Sequence, residues 1–178
     1  MTHDQLCRIV VVGTSGSGKS TLARAIAAKL NIHCIELDAL YWGQNWAEPP
    51  MDVFLDRVKK AIASPSWVVE GNYGKVRDIV WKNAHTLIWL DYPFHIVFGR
   101  ALLRTIKRAI IRESLWNGNR ESVLKSFFSK RSILVWIIQT YQRRRHEYTE
   151  LLSGLEYSHL KVLHFRSTKE TEVYLRQL

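Results

Sequence analysis

The stretch Gly13-Thr14-Ser15-Gly16-Ser17-Gly18-Lys19-Ser20 constrains the chain more than any other, because of what lies on either side of it. Before it runs Arg8-Ile9-Val10-Val11-Val12, a short β-branched segment of the kind that forms a strand buried on both faces. After it, Lys19 to Leu30 carries Leu22, Ile26, Ala27 and Leu30 at helical spacing and ends near Asn31. The stretch fits G-x-x-x-x-G-K-[ST] without a mismatch, in the strand–turn–helix setting that the pattern needs. Its glycines let the backbone curl so that successive N–H groups converge, and the helix start adds the positive end of its dipole. The result is a seat for nucleotide phosphates. Gly13, Thr14, Ser15, Gly16, Ser17 and Gly18 form the cradle. Lys19 supplies a cation to the β- and γ-phosphates of ATP, the Ser20 hydroxyl is placed to ligate Mg²⁺, and Thr21 serves the α-phosphate. A chance glycine-rich turn is the alternative, and the register of strand, motif and helix speaks against it.

At 178 residues the chain is long enough for one α/β core and too short for an independent second one. Residues 1–178 therefore read as a single domain, with any extra part an insertion. A formal net charge of +10 points to an anionic partner: a nucleotide, a phosphorylated substrate, nucleic acid or an acidic membrane surface. The basic residues concentrate between Arg100 and Arg145. The two cysteines, Cys7 and Cys34, lack metal or redox spacing and are expected as buried thiols, with no zinc or disulfide framework. The polar N-terminus reaches its first strand by Arg8, which leaves no room for a signal peptide. The longest apolar run, Ile133 to Ile138, is too short to span a bilayer. A soluble cytoplasmic protein is expected.

Five segments read as strands: Arg8–Val12, Cys34–Leu37, Trp67–Glu70, Thr86–Leu90 and Lys161–Phe165. Helical patterns separate them at 19–30, 52–63, 74–82, a long stretch from 94 to 152, and 168–178. Strands alternating with helices imply a parallel sheet covered on both faces, with ligands gathered at the carboxyl ends of the strands. The long stretch breaks near Asn117-Gly118-Asn119. In its first helix, about 94–112, Phe98, Leu102, Leu103, Ile106, Ala109 and Ile110 share one side. Arg100, Arg104, Lys107, Arg108 and Arg112 share the other. The second, Arg120 to Leu152, holds Val123, Leu124, Phe127, Leu134, Ile137, Ile138 and Tyr141, then Arg143-Arg144-Arg145.

Taken together, five features resemble the adenylate-kinase-related P-loop proteins, and among them the group called topology modulation protein, or FlaR-related. They are the loop Gly13–Thr21, Asp38 with Tyr41-Trp42, the segment Trp67-Val68-Val69-Glu70-Gly71-Asn72-Tyr73, the strand end Leu90-Asp91-Tyr92-Pro93, and the arginine-rich helix. The resemblance implies a P-loop NTPase three-layer α/β/α sandwich. Its five-stranded parallel sheet would have the order 2-3-1-4-5, with a helical lid inserted at about 94–152. Substrate is left open, since relatives phosphorylate nucleotides, shikimate, gluconate and other small molecules.

The same resemblance suggests roles for further residues. Asp38, at the end of the second strand, matches an acid that orients or deprotonates an accepting hydroxyl; the alternative is a turn residue capping the next helix. Glu70, at the end of the third, stands where adenylate kinases carry the aspartate of an Asp-Gly pair near Mg²⁺, and its greater reach suits an outer-shell role through a bound water. Arg100 and Arg104, four apart on one helical face, match paired lid arginines that clamp nucleotide phosphates. Arg166-Ser167 occupies the place of a loop that crosses adenine. Asp91 reads instead as an N-cap or turn residue before the basic helix. Arg108, Arg112 and Arg143–Arg145 read as a solvated face, and Arg120 as a further lid candidate. Trp67 and Trp89 read as core. Trp42 and Trp46, in the polar segment before Pro50, either stack on a substrate or anchor a loop. The seven histidines show no ligand spacing.

The sequence thus suggests an ATP-dependent, Mg²⁺-using kinase acting on a small hydroxyl- or phosphate-bearing acceptor. Lys19, Asp38, Arg100 and Arg104 would carry catalysis, and Ser20 and Glu70 the metal. The alternative is a nucleotide-switched nucleic-acid-binding protein, against which stands the lack of a base-reading motif. A membrane-surface role for the 94–112 helix is disfavoured by the need of its apolar side to cover the sheet.

Overall fold

The computed structural model describes residues 7–111, 116–119 and 133–178. The elements are β1 (Arg8–Gly13), α1 (Lys19–Leu30), β2 (His33–Glu36), α2 (Leu37–Tyr41), a 3₁₀ turn at Gln44–Trp46, α3 (Met51–Ala61) and β3 (Trp67–Glu70). There follow α4 (Gly74–Lys82), β4 (Thr86–Leu90), α5 (Phe94–Ile111), a second 3₁₀ turn at Trp116–Gly118, α6 (Ile133–Ser153), β5 (Lys161–Phe165) and α7 (Thr168–Gln177). The strands form one parallel sheet in the order β2-β3-β1-β4-β5. β1 lies at its centre, with Val10 opposite Val69 on one side and Leu87 on the other.

A central strand covered by helices on both faces must be apolar at every position. Ile9 to Val12 meet that demand and are all buried. Val10 and Val12 face a core built with Phe54 and Val58 of α3, Val76 and Val80 of α4, and Tyr148 of α6. Ile9 and Val11 face the other way, onto Leu22 and Ile26 of α1, Val97 of α5 and Tyr141 of α6. Because α6 contributes Tyr141 to one core and Tyr148 to the opposite one, it passes across the carboxyl edge of the sheet. Trp67 and Trp89 are core residues, as the sequence suggests: Trp67 donates its indole N–H to the Ile62 carbonyl at 3.1 Å. Trp89 stacks on His164 with ring centroids 4.1 Å apart.

Several sequence expectations are corrected. The second strand ends at Glu36, not Leu37, because Leu37 turns inward to pack on Gly71 and begins the short helix α2. Asp38 therefore sits in the first turn of that helix, not at a strand end. α3 starts directly after Pro50, one residue earlier than its apolar pattern suggests, and ends at Ala61. Cys7 and Cys34 are free but only half-buried, since Cys34 lies on the edge strand β2. Burial raises both thiol pKa values, that of Cys34 to about 11.

α5 turns a different face inward from the one its large apolar residues define. Val97, Ala101 and Thr105 are buried, whereas Leu103 and Ile110 are 69% and 76% exposed. Small residues win because the helix backbone is drawn against the glycine loop, where larger side chains have no room. The sheet is thus covered without Leu103, Ile106 and Ile110. In α6, Leu134, Ile137 and Tyr141 are buried but Ile138 is exposed. Arg112, Arg120, Val123, Leu124 and Phe127 lie outside the described residues. Among the described residues no helix is long and apolar enough to cross a membrane.

Asp91 does not cap α5, whose first N–H groups at Ile96 and Val97 bind the Pro93 carbonyl. Its carboxylate is buried between Arg145 Nε at 2.8 Å and His164 Nε2 at 3.1 Å, joining the ends of β4 and β5 to α6. Asp91→Ala leaves both partners without their acceptor and is expected to lower stability by about 1–3 kcal/mol. Urea denaturation reads this as a lower midpoint at unchanged slope.

Candidate functional site

β1 delivers the chain into its loop at Gly13, whose φ of 148° continues to values of 90° at Gly16 and 91° at Gly18. Space demands glycine as much as conformation does. A Cβ on Gly13 would lie 2.5 Å from the Leu90 carbonyl oxygen, and one on Gly16 2.3 Å from that of Val97. The loop is therefore wedged between β4 and α5. The first α-helical bond of α1 runs from Leu22 N–H to the Gly18 carbonyl. The N–H groups of Lys19, Ser20 and Thr21 are left pointing out of the helix start, as at any helix N-terminus. Ser17 Oγ is buried with no hydrogen-bond partner among the described residues.

Lys19 and Ser20 stand at the centre of a charged cluster. Lys19 is half-buried and its ammonium donates to the Thr14 carbonyl at 3.3 Å. Desolvation lowers its pKa, against the attraction of Glu70 and Asp38, which raises it. Glu70 is only 2% exposed and accepts a hydrogen bond from the Ser20 hydroxyl at 2.9 Å. Its burial raises the carboxyl pKa, opposed chiefly by Lys19. Glu70, Lys19 and Ser20 thus occupy one place at the sheet edge.

At the start of α2, Asp38 Oδ1 receives the Tyr73 hydroxyl at 2.6 Å. Burial first, and the Asp38 charge next, raise the Tyr73 pKa far above the usual phenol range, so Tyr73 is a standing donor. Tyr41, Phe54 and Tyr73 pack ring to ring around it. From α5, Arg104 donates to Ser15 Oγ at 3.3 Å. Arg100 lies over the Tyr92 ring at 5.6 Å, with a guanidinium nitrogen 3.8 Å from where a Gly18 Cβ would stand. Lys19, Ser20, Glu70, Asp38, Arg100 and Arg104 are therefore brought together around the loop.

Known structures of this architecture agree over nearly the whole chain. Shikimate kinase from Bacteroides thetaiotaomicron is 15% identical, with a TM-score of 0.56, covering 96% of this chain and 95% of its own. Shikimate kinase from Aquifex aeolicus is 16% identical, with a TM-score of 0.54 over 96% and 92% of the two chains. The chain has the P-loop kinase fold. A gluconokinase from Sinorhizobium meliloti shares this P-loop kinase fold at 19% identity, with a TM-score of 0.53 over 97% and 89%. A family model described as ATPase family associated with various cellular activities (AAA) matches residues 9–91, the segment that carries the loop and Glu70. No curated protein matches the chain by sequence.

Within the P-loop kinase fold, several site residues escape a sequence reading. Asn72 grips Gly13 by both backbone groups and in turn accepts from Tyr148. Arg144, read with its neighbours as solvated, is half-buried, and its charge acts on Lys19 and on Tyr148. Arg145 pairs with Asp91, and Arg77 with Glu147. The signal was present in the helical period: of three consecutive arginines on α6, one must face the sheet edge that the helix crosses.

Trp42 and Trp46 meet edge to face at 5.5 Å. Their segment is tied to the turn after α5. Asn117 donates to the Trp42 carbonyl at 2.5 Å, and Asn119 donates to the Gly43 carbonyl at 2.8 Å while accepting the Trp46 N–H at 2.9 Å. These bonds anchor the loop through its backbone and leave the roles of the two indoles open. At Arg166-Ser167, the Ser167 hydroxyl accepts the Glu170 N–H and Glu170 accepts the Arg166 N–H, a capping box for α7. An open cavity of about 370 Å³ lies beside it, lined by Asp91, Phe94, Tyr141, Gln142, Arg145 and Arg166.

The residues fit a nucleotide with Mg²⁺. Positive φ at Gly13, Gly16 and Gly18 lets the loop curl, and the buried Ser17 hydroxyl within it lacks a partner among the described residues. Ser20 and Glu70 offer hard oxygen donors. No group of three or more His, Cys, Asp or Glu side chains that could hold a metal ion occurs among the described residues.

Proposed function

We propose that the protein is an ATP-dependent phosphotransferase that moves the γ-phosphoryl group to a small hydroxyl- or phosphate-bearing acceptor. The observation that carries this reading is the gathering around the loop that bears Lys19 of Ser20 with Glu70, Asp38 with Tyr73, and Arg100 and Arg104. The cradle Gly13 to Gly18 holds the phosphates through backbone N–H groups, with Thr21 at the α-phosphate and Lys19 balancing charge at the β- and γ-phosphates. Ser20, and Glu70 through water, would hold Mg²⁺, which would supply positive charge against the phosphates. Asp38 orients the accepting hydroxyl and draws its proton, with Tyr73 fixing the carboxylate's rotamer. Arg100 and Arg104 clamp the charge that spreads over the transferred group. The cavity beside Arg166 would receive the base.

The nucleic-acid reading, which the topology modulation resemblance suggests, is less well supported. Several basic side chains are engaged within the chain: Arg104 of the stripe with Ser15, Arg145 of α6 with Asp91 and Arg77 of α4 with Glu147. In that reading, binding of labelled duplex or single strand would persist at physiological salt and change with ATP, with a steep salt slope. Anisotropy is expected to show only weak binding that vanishes there.

Asp38→Asn tests the kinase reading. It is expected to leave ATP affinity within about twofold while lowering acceptor-dependent turnover by roughly 10²- to 10⁴-fold. Candidate acceptors are found by thermal shift with and without an unhydrolysable ATP analogue, starting from shikimate, gluconate and nucleoside monophosphates. A variant that loses ATP binding as well, or that transfers at the wild-type rate, would remove Asp38 from the acceptor.

A further inference from the structure

We propose that Asn72 is a positioning residue of the phosphate loop, its side-chain amide standing in for a missing strand partner of Gly13 and its own orientation fixed by Tyr148 of α6. The inference rests on reading that loop as a nucleotide site.

The ladder between β1 and β3 runs from Arg8 opposite Trp67 to Val11 opposite Glu70. It then frays: the Gly71 N–H reaches the Val11 carbonyl only at 3.4 Å, and Gly71, with φ of 139°, turns away under Leu37. Gly13 lies two residues further along β1, where no β3 backbone remains opposite it. A buried N–H and carbonyl at this point would be left unmatched. Asn72 supplies both complements. Its Nδ2 donates to the Gly13 carbonyl at 2.6 Å and its Oδ1 accepts the Gly13 N–H at 3.3 Å, the donor and acceptor that the two peptide groups flanking one residue of a neighbouring parallel strand would present.

The amide can face only one way. A flipped amide would set its NH₂ against the Gly13 N–H and its oxygen against the Gly13 carbonyl, and the oxygen of the amide as placed also receives the Tyr148 hydroxyl at 2.9 Å. Tyr148 is buried against Trp89 and Trp81 at 5.7 and 6.0 Å between ring centroids. Burial pushes its pKa up to about 12, which keeps it a donor. The chain of contacts runs from α6, through Tyr148 and Asn72, into the residue from which the loop departs. The direction taken by the backbone at Gly13 sets where the following N–H groups converge, and a displacement of about 1 Å in such a site costs on the order of 10²-fold. Aspartate cannot replace Asn72: it accepts from Gly13 and Tyr148 but has no donor for the Gly13 carbonyl, and it adds a negative charge beside the phosphates.

The test compares wild type with Asn72→Ala, Asn72→Asp and Tyr148→Phe by three measurements on the full chain. These are amide exchange at Gly13 to Gly18 without ligand, ADP·Mg²⁺ affinity by calorimetry, and urea denaturation. In the wild type the Gly13 amide is expected to be protected; in Asn72→Ala its exchange rises at least tenfold while amides in α1 and α7 keep theirs. ADP affinity is expected to fall about tenfold or more in both Asn72 variants and less in Tyr148→Phe, after correction for the folded fraction. The proposal is overturned if Gly13 exchange and ADP affinity of folded Asn72→Ala stay within twofold of wild type, whether or not its stability falls. It is also overturned if Asn72→Asp binds ADP as the wild type does. If the wild type itself binds neither ADP nor ATP, the nucleotide reading fails separately, and the Gly13 exchange result still decides whether Asn72 holds the loop.

Discussion

Lys19→Ala is expected to yield a folded protein whose affinity for ATP·Mg²⁺ falls at least about 100-fold and whose phosphoryl transfer falls by roughly 10³ or more. The size of the effect follows from the loop's geometry. Backbone N–H groups supply partial charge only, whereas Lys19 is the full cation between the cradle and the two carboxylates that face it. Without it the phosphates meet Glu70 and Asp38 with only the more distant arginine charges to offset them. Stability should change little, because the desolvation of Lys19 outweighs its attraction to those carboxylates in the unliganded protein. Calorimetry with an unhydrolysable analogue, beside a denaturation curve, measures both. Wild-type affinity in a folded Lys19→Ala protein would remove the basis for a nucleotide site.

Gly16→Ala should be the most damaging of the loop's glycine substitutions to fold and site together. Its φ of 90° strains any side chain, and the new Cβ would meet the Val97 carbonyl at 2.3 Å, a backbone atom in a helix that has no slack. Loop and α5 must separate, at a cost of roughly 2–4 kcal/mol, and nucleotide affinity falls with them. Two other glycines separate the causes. Gly18→Ala has comparable φ but its nearest neighbour is a mobile Arg100 nitrogen at 3.8 Å, so it should show backbone strain alone, about 1–2 kcal/mol. Gly99→Ala, in α5 with nothing within 4 Å, should be neutral or stabilising by up to about 1 kcal/mol. If Gly16→Ala denatures at the same urea concentration as Gly99→Ala, α5 does not rest on the loop.

What the sequence reveals and conceals follows from the range of the interactions involved. Strands buried on both faces must be apolar throughout, so β1, β3, β4 and β5 stand out as short runs, and the loop stands out because backbone geometry dictates its glycines. α2 does not: Leu37 closes an apolar run that reads as a strand, and its packing against Gly71 at the start of a helix is a long-range contact that the run does not show. The buried face of α5 is hidden for a related reason. Hydrophobicity points to Leu103 and Ile110, but close approach of two backbones selects Gly16 and Ala101. Asp91 looks like a local turn residue because Arg145 and His164 lie far along the chain. Asn72 carries no chemistry of its own and is visible only once β3 is seen to part from β1. Lys19, Ser20, Glu70, Asp38, Arg100 and Arg104 could be named in advance; the groups that hold them could not.

The path of α6 bears on how the molecule opens. Tyr141 and Tyr148, two turns apart, are anchored in cores on opposite faces of the sheet, and Arg145 between them is fastened to the end of β4. A doubly wound sheet would otherwise be free to loosen one face while the other stayed closed, giving two units of separate stability. Here the helix cannot leave without uncovering both. Amide hydrogens in β1, β4 and α6 should therefore exchange through a single opening of the highest free energy, while the edge strand β2 and the segment around Trp42 open earlier and independently. A cross-braced sheet of this kind confines slow motion to the rim of the site and keeps the phosphate seat rigid through it.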